Sequence, residues 1–291
     1  AAGHVVHPYA HLPVFVVQRF HAHGQAGQRD ACLACADNRP VLYLFSDSVD
    51  AEVVDNEIIY TAPEGDEILA ELDGVAKAPT FNDDGAIQLK ADNFDEDSVS
   101  LLSNAGGFGV EIAEDSYANG TTFNGSDGRD IITNNAEYLV IDGGAGKDSL
   151  TNNAANVSIS GGDGSDKINN VSTNVTIAGG KGNDNVTVSG ENAGNVFVYE
   201  NGGGKDILYN FKAADKIQIA DDSSVAANIN GNDVVFQVAT GSITVKDGVN
   251  LSDGILVVDA NGEEIDSLAG NKYTTEGVIS NDSGGEPGIL L

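Results

Sequence analysis

GGAGKDSLT at residues 143–151, GGDGSDKIN at 161–169 and GGKGNDNVT at 179–187 recur with an 18-residue period. Weaker copies flank them: GSDGRDIIT from Gly125 and NGGGKDILY from Asn201. A unit this short cannot bury an apolar face alone, so the copies must stack into a solenoid. Glycine at the first, second and fourth places permits a tight turn whose carbonyl oxygens point together. The eighth place is aliphatic in every copy (Ile132, Leu150, Ile168, Val186, Leu208), which predicts a short strand after each turn with one side chain in the core. The intervening stretches NNAEYLVID, NNAANVSIS and NVSTNVTIA begin at Asn134, Asn152 and Asn170. Their aliphatic columns, Leu139, Val157, Val175 and Ile141, Ile159, Ile177, predict a second strand on the far side of each coil.

The sixth place adds a carboxylate to each turn: Asp130, Asp148, Asp166, Asp184 and Asp206. Carbonyls and carboxylates without His or Cys are hard oxygen ligands, and they suit Ca²⁺, which accepts about 6 to 8 oxygens in flexible geometry, better than Mg²⁺. The far edge carries no such recurring carboxylate. Calcium, as several ions, is therefore expected along one edge only, with Asn152 and Asn170, and Asn156 and Asn174, stacked as amide ladders along the other.

These nonapeptides resemble the GGxGxDxUx repeats of the RTX (repeats-in-toxin, haemolysin-type) calcium-binding proteins, over roughly 85 residues. The resemblance implies a parallel β-roll in which calcium sits between turns on successive coils. It implies carbonyls from the first and third places of one turn, from the second and fourth places of the next, and the aspartate of both. Carried onto this chain, the ligand candidates are Gly125, Asp127, Gly128 and Asp130; Gly143, Gly144, Ala145, Gly146 and Asp148; Gly161, Gly162, Asp163, Gly164 and Asp166; Gly179, Gly180, Lys181, Gly182 and Asp184; and Gly202, Gly204 and Asp206. The chain departs from the family pattern because its glycine-aspartate turns come in alternate nonapeptides instead of in every one. The step from Gly179 to Asn201 exceeds the 18-residue period, and four extra residues are expected to bulge near Gly190 to Asn195.

The expected fold class is thus all-β: a parallel β-roll (β-solenoid) of about five 18-residue coils over 125–210, flanked by small antiparallel β units. Residues 46–124 mix short β-type runs with Pro, Gly and Asp breaks and predict a small antiparallel unit. GGFGVEIA at 106–113 looks like a decayed repeat but reads as an ordinary strand turn. In 211–291, NDVVFQVATGSITVKD predicts strands capping the roll, and Asn261-Gly262 predicts a hairpin turn.

The chain has 291 residues and a formal net charge of −31. Such acidity opposes binding to nucleic acid or anionic membranes, and it favours folding that awaits a cation to offset self-repulsion. No apolar run reaches membrane-spanning length. Residues 1–45 differ in composition, with three Arg against two Asp, all five His and both Cys. His21, His23, Cys32 and Cys35 lack a second spaced pair and read as incidental, not as a zinc site. This segment has no basic leader or long apolar centre. The final GGEPGILL resembles the uncleaved carboxy-terminal signals of type I secretion substrates in the family.

No H-E-x-x-H or G-x-S-x-G occurs, and the N-x-S/T triplets follow from strand composition. The expectation is a noncatalytic, calcium-binding RTX β-roll of a bacterial exported protein, extracellular or at the cell surface, that folds on calcium binding outside the cell. Two alternatives stay open: a calcium-dependent, self-assembling surface protein (adhesin, S-layer or filament subunit) with self-association or a cell-surface partner, and the C-terminal part of a larger secreted hydrolase.

Overall fold

Short β-branched runs that alternate inward and outward every second residue determine the architecture. Along Lys167–Asn170 and Asn185–Val188 the inward positions are Ile168, Asn170, Val186 and Val188, all buried, while Lys167 and Asn185 are exposed. The computed structural model describes the strands Ala31–Ala36, Arg39–Phe45, Asp50–Val54 and Glu57–Thr61, residues 68–279 except 77–78, 95–96, 105–106, 190–193, 201, 221–223, 266–267 and 269–270, and Ile289–Leu290; side chains are described between Ala70 and Val278. Among these residues the regular structure is strand throughout, apart from two three-residue 3₁₀ turns. The chain divides into two compact units, Ala1–Val140 and Ile141–Leu291.

In the first unit the strands Ala31–Ala36, Arg39–Phe45, Ile68–Asp73 and Ser98–Ser103 pair antiparallel in that order, and Asp50–Val54 forms a hairpin with Glu57–Thr61. From there the pairing turns parallel. Thr122–Asn124 lies parallel to Ser98–Ser103, and Ile87–Leu89, Gly109–Ile112 and Ile131–Asn134 form a parallel ladder. The expected antiparallel unit over 46–124 therefore covers only its first part. GGFGVEIA contributes a coil strand, Gly109–Ile112. Alternation of buried and exposed positions is the same in parallel and antiparallel strands, so these runs carry no signal of direction.

In the second unit, Ser149–Asn152, Lys167–Asn170, Asn185–Val188, Lys205–Tyr209 and Gly241–Val245 stack parallel. On the other side, Ser158–Ser160, Thr176–Ala178, Val196–Tyr199, Lys216–Ile219 and Leu256–Val258 stack the same way. The register is set by two buried columns, Leu150–Ile168–Val186–Leu208–Val245 and Ile159–Ile177–Phe197–Ile217–Val257. Each such side chain contributes about 1.5–3 kcal/mol of burial, and a slip of one residue would turn both columns to solvent. The roll thus continues past residue 210. Val225–Asn230 and Asp233–Val238 add antiparallel strands to Gly241–Val245, so of the stretch expected to cap the roll Gly241–Val245 is itself a parallel coil strand. The Asn261-Gly262 turn is present: Gly262 has φ of +83°, and the Asp259 N–H donates to Glu263 O at 2.8 Å.

The four extra residues do not form one bulge. Thr176 pairs with Val196, two positions beyond where the repeat period would place its partner, whereas Gly182 bridges Gly204, four positions beyond. Two residues enter at each of the two turns of that coil, because both strands must return to the buried columns. Within the first of these turns, residues 190–193 lie outside the described residues, as do His21, His23 and residues 284–288 of the expected secretion signal. Cys32 and Cys35 lie on the strand Ala31–Ala36.

A candidate cation row at the glycine turns

Three of the turns, at Ala145–Gly146, Asp163–Gly164 and Lys181–Gly182, form a narrow parallel sheet of their own. They stack in direct contact. A Cβ on Gly162, whose φ is +93°, would lie 1.9 Å from Gly144 O, and on Gly180, φ +99°, it would lie 2.0 Å from Gly162 O. Only glycine meets both demands. Second-place carbonyls thus point onward to the next coil, where Gly144 O accepts the Asp163 N–H at 2.8 Å and Gly162 O accepts that of Lys181 at 2.9 Å. First-place carbonyls point back: a Cβ on Gly143 would lie 2.4 Å from Gly161 O, and one on Gly161 2.3 Å from Gly179 O. The space between successive turns is therefore lined by carbonyl oxygens from both sides.

Asp148, Asp166 and Asp184 point inward from the turns and are almost wholly buried, each at 2 % exposure or less. One oxygen of each of Asp166, Asp184 and Asp206 is structural. Asp166 Oδ1 accepts the Asp148 N–H at 2.8 Å, Asp184 Oδ1 that of Asp166 at 2.7 Å, and Asp206 Oδ1 that of Asp184 at 3.0 Å. The other oxygen is a different matter. Oδ2 of Asp166 and Oδ2 of Asp184 are buried with no hydrogen-bond partner, each close over the first-place glycine of its own turn. Burial, foremost, pushes the Asp166 carboxyl up to about 6, with the Asp184 carboxylate adding to the rise. Burial likewise raises Asp184, and it pushes Asp206 up to about 8. A buried ionised carboxylate with an unpartnered oxygen costs several kcal/mol, so this row calls for a proton or a cation.

No family model and no curated protein matches the chain. The turns themselves carry the functional reading.

Among the described residues no three His, Cys, Asp or Glu side chains converge on a point. The row is of another type, with single carboxylates one coil apart and backbone oxygens between them. Its donor set fits Ca²⁺: hard oxygens only, with unpartnered Oδ2 atoms, and second-place carbonyls that keep a second lone pair beyond their inter-coil bond.

The other predicted positions divide. Asp163 and Lys181 point outward and pair with each other at 2.9 Å, so as side chains they lie off the row. Asp130 is buried, but its Oδ2 accepts the Ser126 N–H and hydroxyl at 2.7 and 2.8 Å, and its Oδ1 accepts Asn104 Nδ2 at 3.2 Å. Ser126, at the second place, organises that turn in place of glycine, and Asp127 and Gly128 are exposed beside it. Gly125 is half-buried. Gly202 and Gly204 have φ of +93° and +92° and belong to the turn of Asp206.

On the far edge the predicted amide ladder is present and extends further. Asn152 Nδ2 donates to Asn170 Oδ1 at 2.9 Å, Asn170 Nδ2 to Asn195 Oδ1 at 3.2 Å, and Asn195 Nδ2 to Asp215 Oδ1 at 3.1 Å. Asn174 donates to Asn156 at the exposed corner. Asn195 and Asp215 escape a reading of the sequence because they lie outside the Asn152–Asn170 column, which Val188 continues; by register they stand in the column of Val175.

Proposed function

We propose that the glycine turns of the second unit bind Ca²⁺ between successive coils, with Asp148, Asp166 and Asp184 as carboxylate ligands. The observation that carries this reading is the pair of buried, unpartnered oxygens, Asp166 Oδ2 and Asp184 Oδ2, one coil apart in a channel lined by carbonyls. When bound, Ca²⁺ would neutralise the buried carboxylates and fill their open coordination. The chain's own residues hold the geometry: the Oδ1 atoms of Asp166 and Asp184 each tie their turn to the preceding one, and glycine lets the turns approach. The Asn152–Asn170 amide pair helps to fix the opposite edge.

The chain is accordingly read as a noncatalytic RTX-type β-roll of an exported bacterial protein. Its acidity supports the same reading, since a net charge of −31 opposes compaction until cations bind. Binding only the folded form stabilises it by RT ln(1 + [L]/Kd), so calcium-rich surroundings outside a cell would favour the fold. The deciding experiment is a calcium titration followed by far-ultraviolet circular dichroism and sedimentation velocity. A coil-to-β transition ending in monomers supports the reading. One ending in large assemblies makes the protein a surface subunit, and full β structure in chelator overturns calcium-dependent folding.

A further inference from the structure

We infer that the cation row of the second unit ends at Asp184, and that Tyr199 closes the turn of Asp206 so that this turn takes no ion; this rests on the calcium reading above. In the strand Thr176–Ala178 the chain leaves Ala178 and enters the turn at Gly179. One coil later Ala178 pairs with Val198, so Tyr199 stands where Gly179 stands. The strand runs one residue further here, through Tyr199. Its carbonyl accepts the Ala220 N–H of the following coil at 2.9 Å, instead of turning back toward the preceding coil as Gly161 O and Gly179 O do. Among the described residues, the interval between Asp184 and Asp206 thereby lacks a back-pointing carbonyl at the register position of Gly179, and the one that does point back, Gly203 O, accepts the Gly182 N–H at 3.0 Å.

The tyrosine side chain completes the closure. Tyr199 is buried, and its hydroxyl donates to Gly204 O at 2.7 Å, while the Ser242 N–H donates to the same oxygen at 2.8 Å. Both lone pairs of that carbonyl are used. Gly241 must be glycine to admit the ring, since a Cβ there would lie 1.9 Å from Tyr199 Oη. The cavity beside Asp206, lined by Ile177, Phe197, Tyr199 and Leu208 among others, holds about 10 Å³, the lower limit for a single water. On the far side Asp206 pairs with Ile243, so no carboxylate follows it in the row.

The test is the number of Ca²⁺ ions bound per chain, by equilibrium dialysis of the full chain in excess potassium chloride, which screens diffuse binding to the acidic surface. Asp206→Asn keeps an oxygen for the Asp184 N–H and is expected to bind the same number of ions as the parent, with affinity within about twofold, whereas Asp184→Asn loses at least one. A count lowered by one in Asp206→Asn overturns the inference. Tyr199→Phe is expected to keep the count and lower the thermal midpoint, because Gly204 O loses a buried donor; an unchanged midpoint removes Tyr199 from the role. A parent chain that binds no ions refutes the calcium reading itself, an outcome distinct from either of these.

Discussion

Replacing Gly162 by alanine probes the stacking of the turns. The new Cβ would sit 1.9 Å from Gly144 O, more than an ångström inside the closest approach that real Cβ atoms show. The turns must separate, and they can do so only by stretching the bond from the Asp163 N–H to Gly144 O, now 2.8 Å. The residue must also hold a φ of +93°, which costs an L-residue at least about 1–2 kcal/mol. Overpacking adds about 1–3 kcal/mol, and the lost hydrogen bond about 1 kcal/mol. The expected destabilisation is about 3–6 kcal/mol. Gly231 is the matched control, with φ of +64° and nothing within 4 Å of its Cβ position, so Gly231→Ala carries the backbone term alone, about 1–2 kcal/mol. Urea denaturation of both variants in saturating calcium, followed by circular dichroism, gives the difference directly. Equal costs for the two variants would show that the turns do not touch, and the direct stacking would be refuted.

Asp166→Asn retains an oxygen for the Asp148 N–H but removes the buried charge; its β signal by circular dichroism in chelator should exceed the parent's, while calcium affinity measured by titration calorimetry falls about tenfold or more, as expected when a ligand charge is lost. The pH dependence follows from the same groups. In chelator, the raised Asp166 and Asp206 carboxyls make the protonated fold the stable one, so stability is full below the ordinary carboxyl value of 3.8 and declines as pH rises through about 6 for Asp166 and about 8 for Asp206. Saturating calcium should reverse that slope below about pH 6, since protons then compete with the ion; the circular dichroism β signal across pH in chelator and urea midpoints across pH in saturating calcium test the two signs. Asn170→Ala removes the acceptor of Asn152 Nδ2 and the donor to Asn195 Oδ1 within a buried ladder and should cost about 2–4 kcal/mol in saturating calcium. Lys181→Ala breaks a pair exposed at both ends and should leave the urea midpoint unchanged in the same assay.

The central coils are legible in the sequence because three signals coincide there. Aliphatic residues at the eighth place, glycines at positions of close approach and an inward aspartate repeat together, and each has its own physical reason. Where one signal lapses, the coil persists without announcing itself. Gly109–Ile112 stacks in parallel on Ile87–Leu89 with no glycine-aspartate turn to mark it, and Lys216–Ile219 and Leu256–Val258 continue the roll beyond the last motif. Spacing alone marks the aspartates as ligands and nothing more. Their Oδ1 atoms also bind backbone N–H groups one coil back, a role visible only once the register is known. Asp130 shows the converse, since the motif letter is kept while Ser126 and Asn104 take its oxygens. Tyr199 gives no sequence signal, as its meaning lies in standing at a glycine's position after an insertion.

The division of the four inserted residues between two turns separates mass from reach. Neighbouring strands in a ladder lie about 4.8 Å apart whatever number of residues connects them. The enlarged coil therefore advances the stack of the second unit by the same step as its shorter neighbours, and the surplus appears only at the corners. Corner length is thus a free variable at constant pitch. Extra segments can be spliced into either turn of this coil as independent outgrowths, spaced by one strand interval, while the buried columns that count the coils stay in phase.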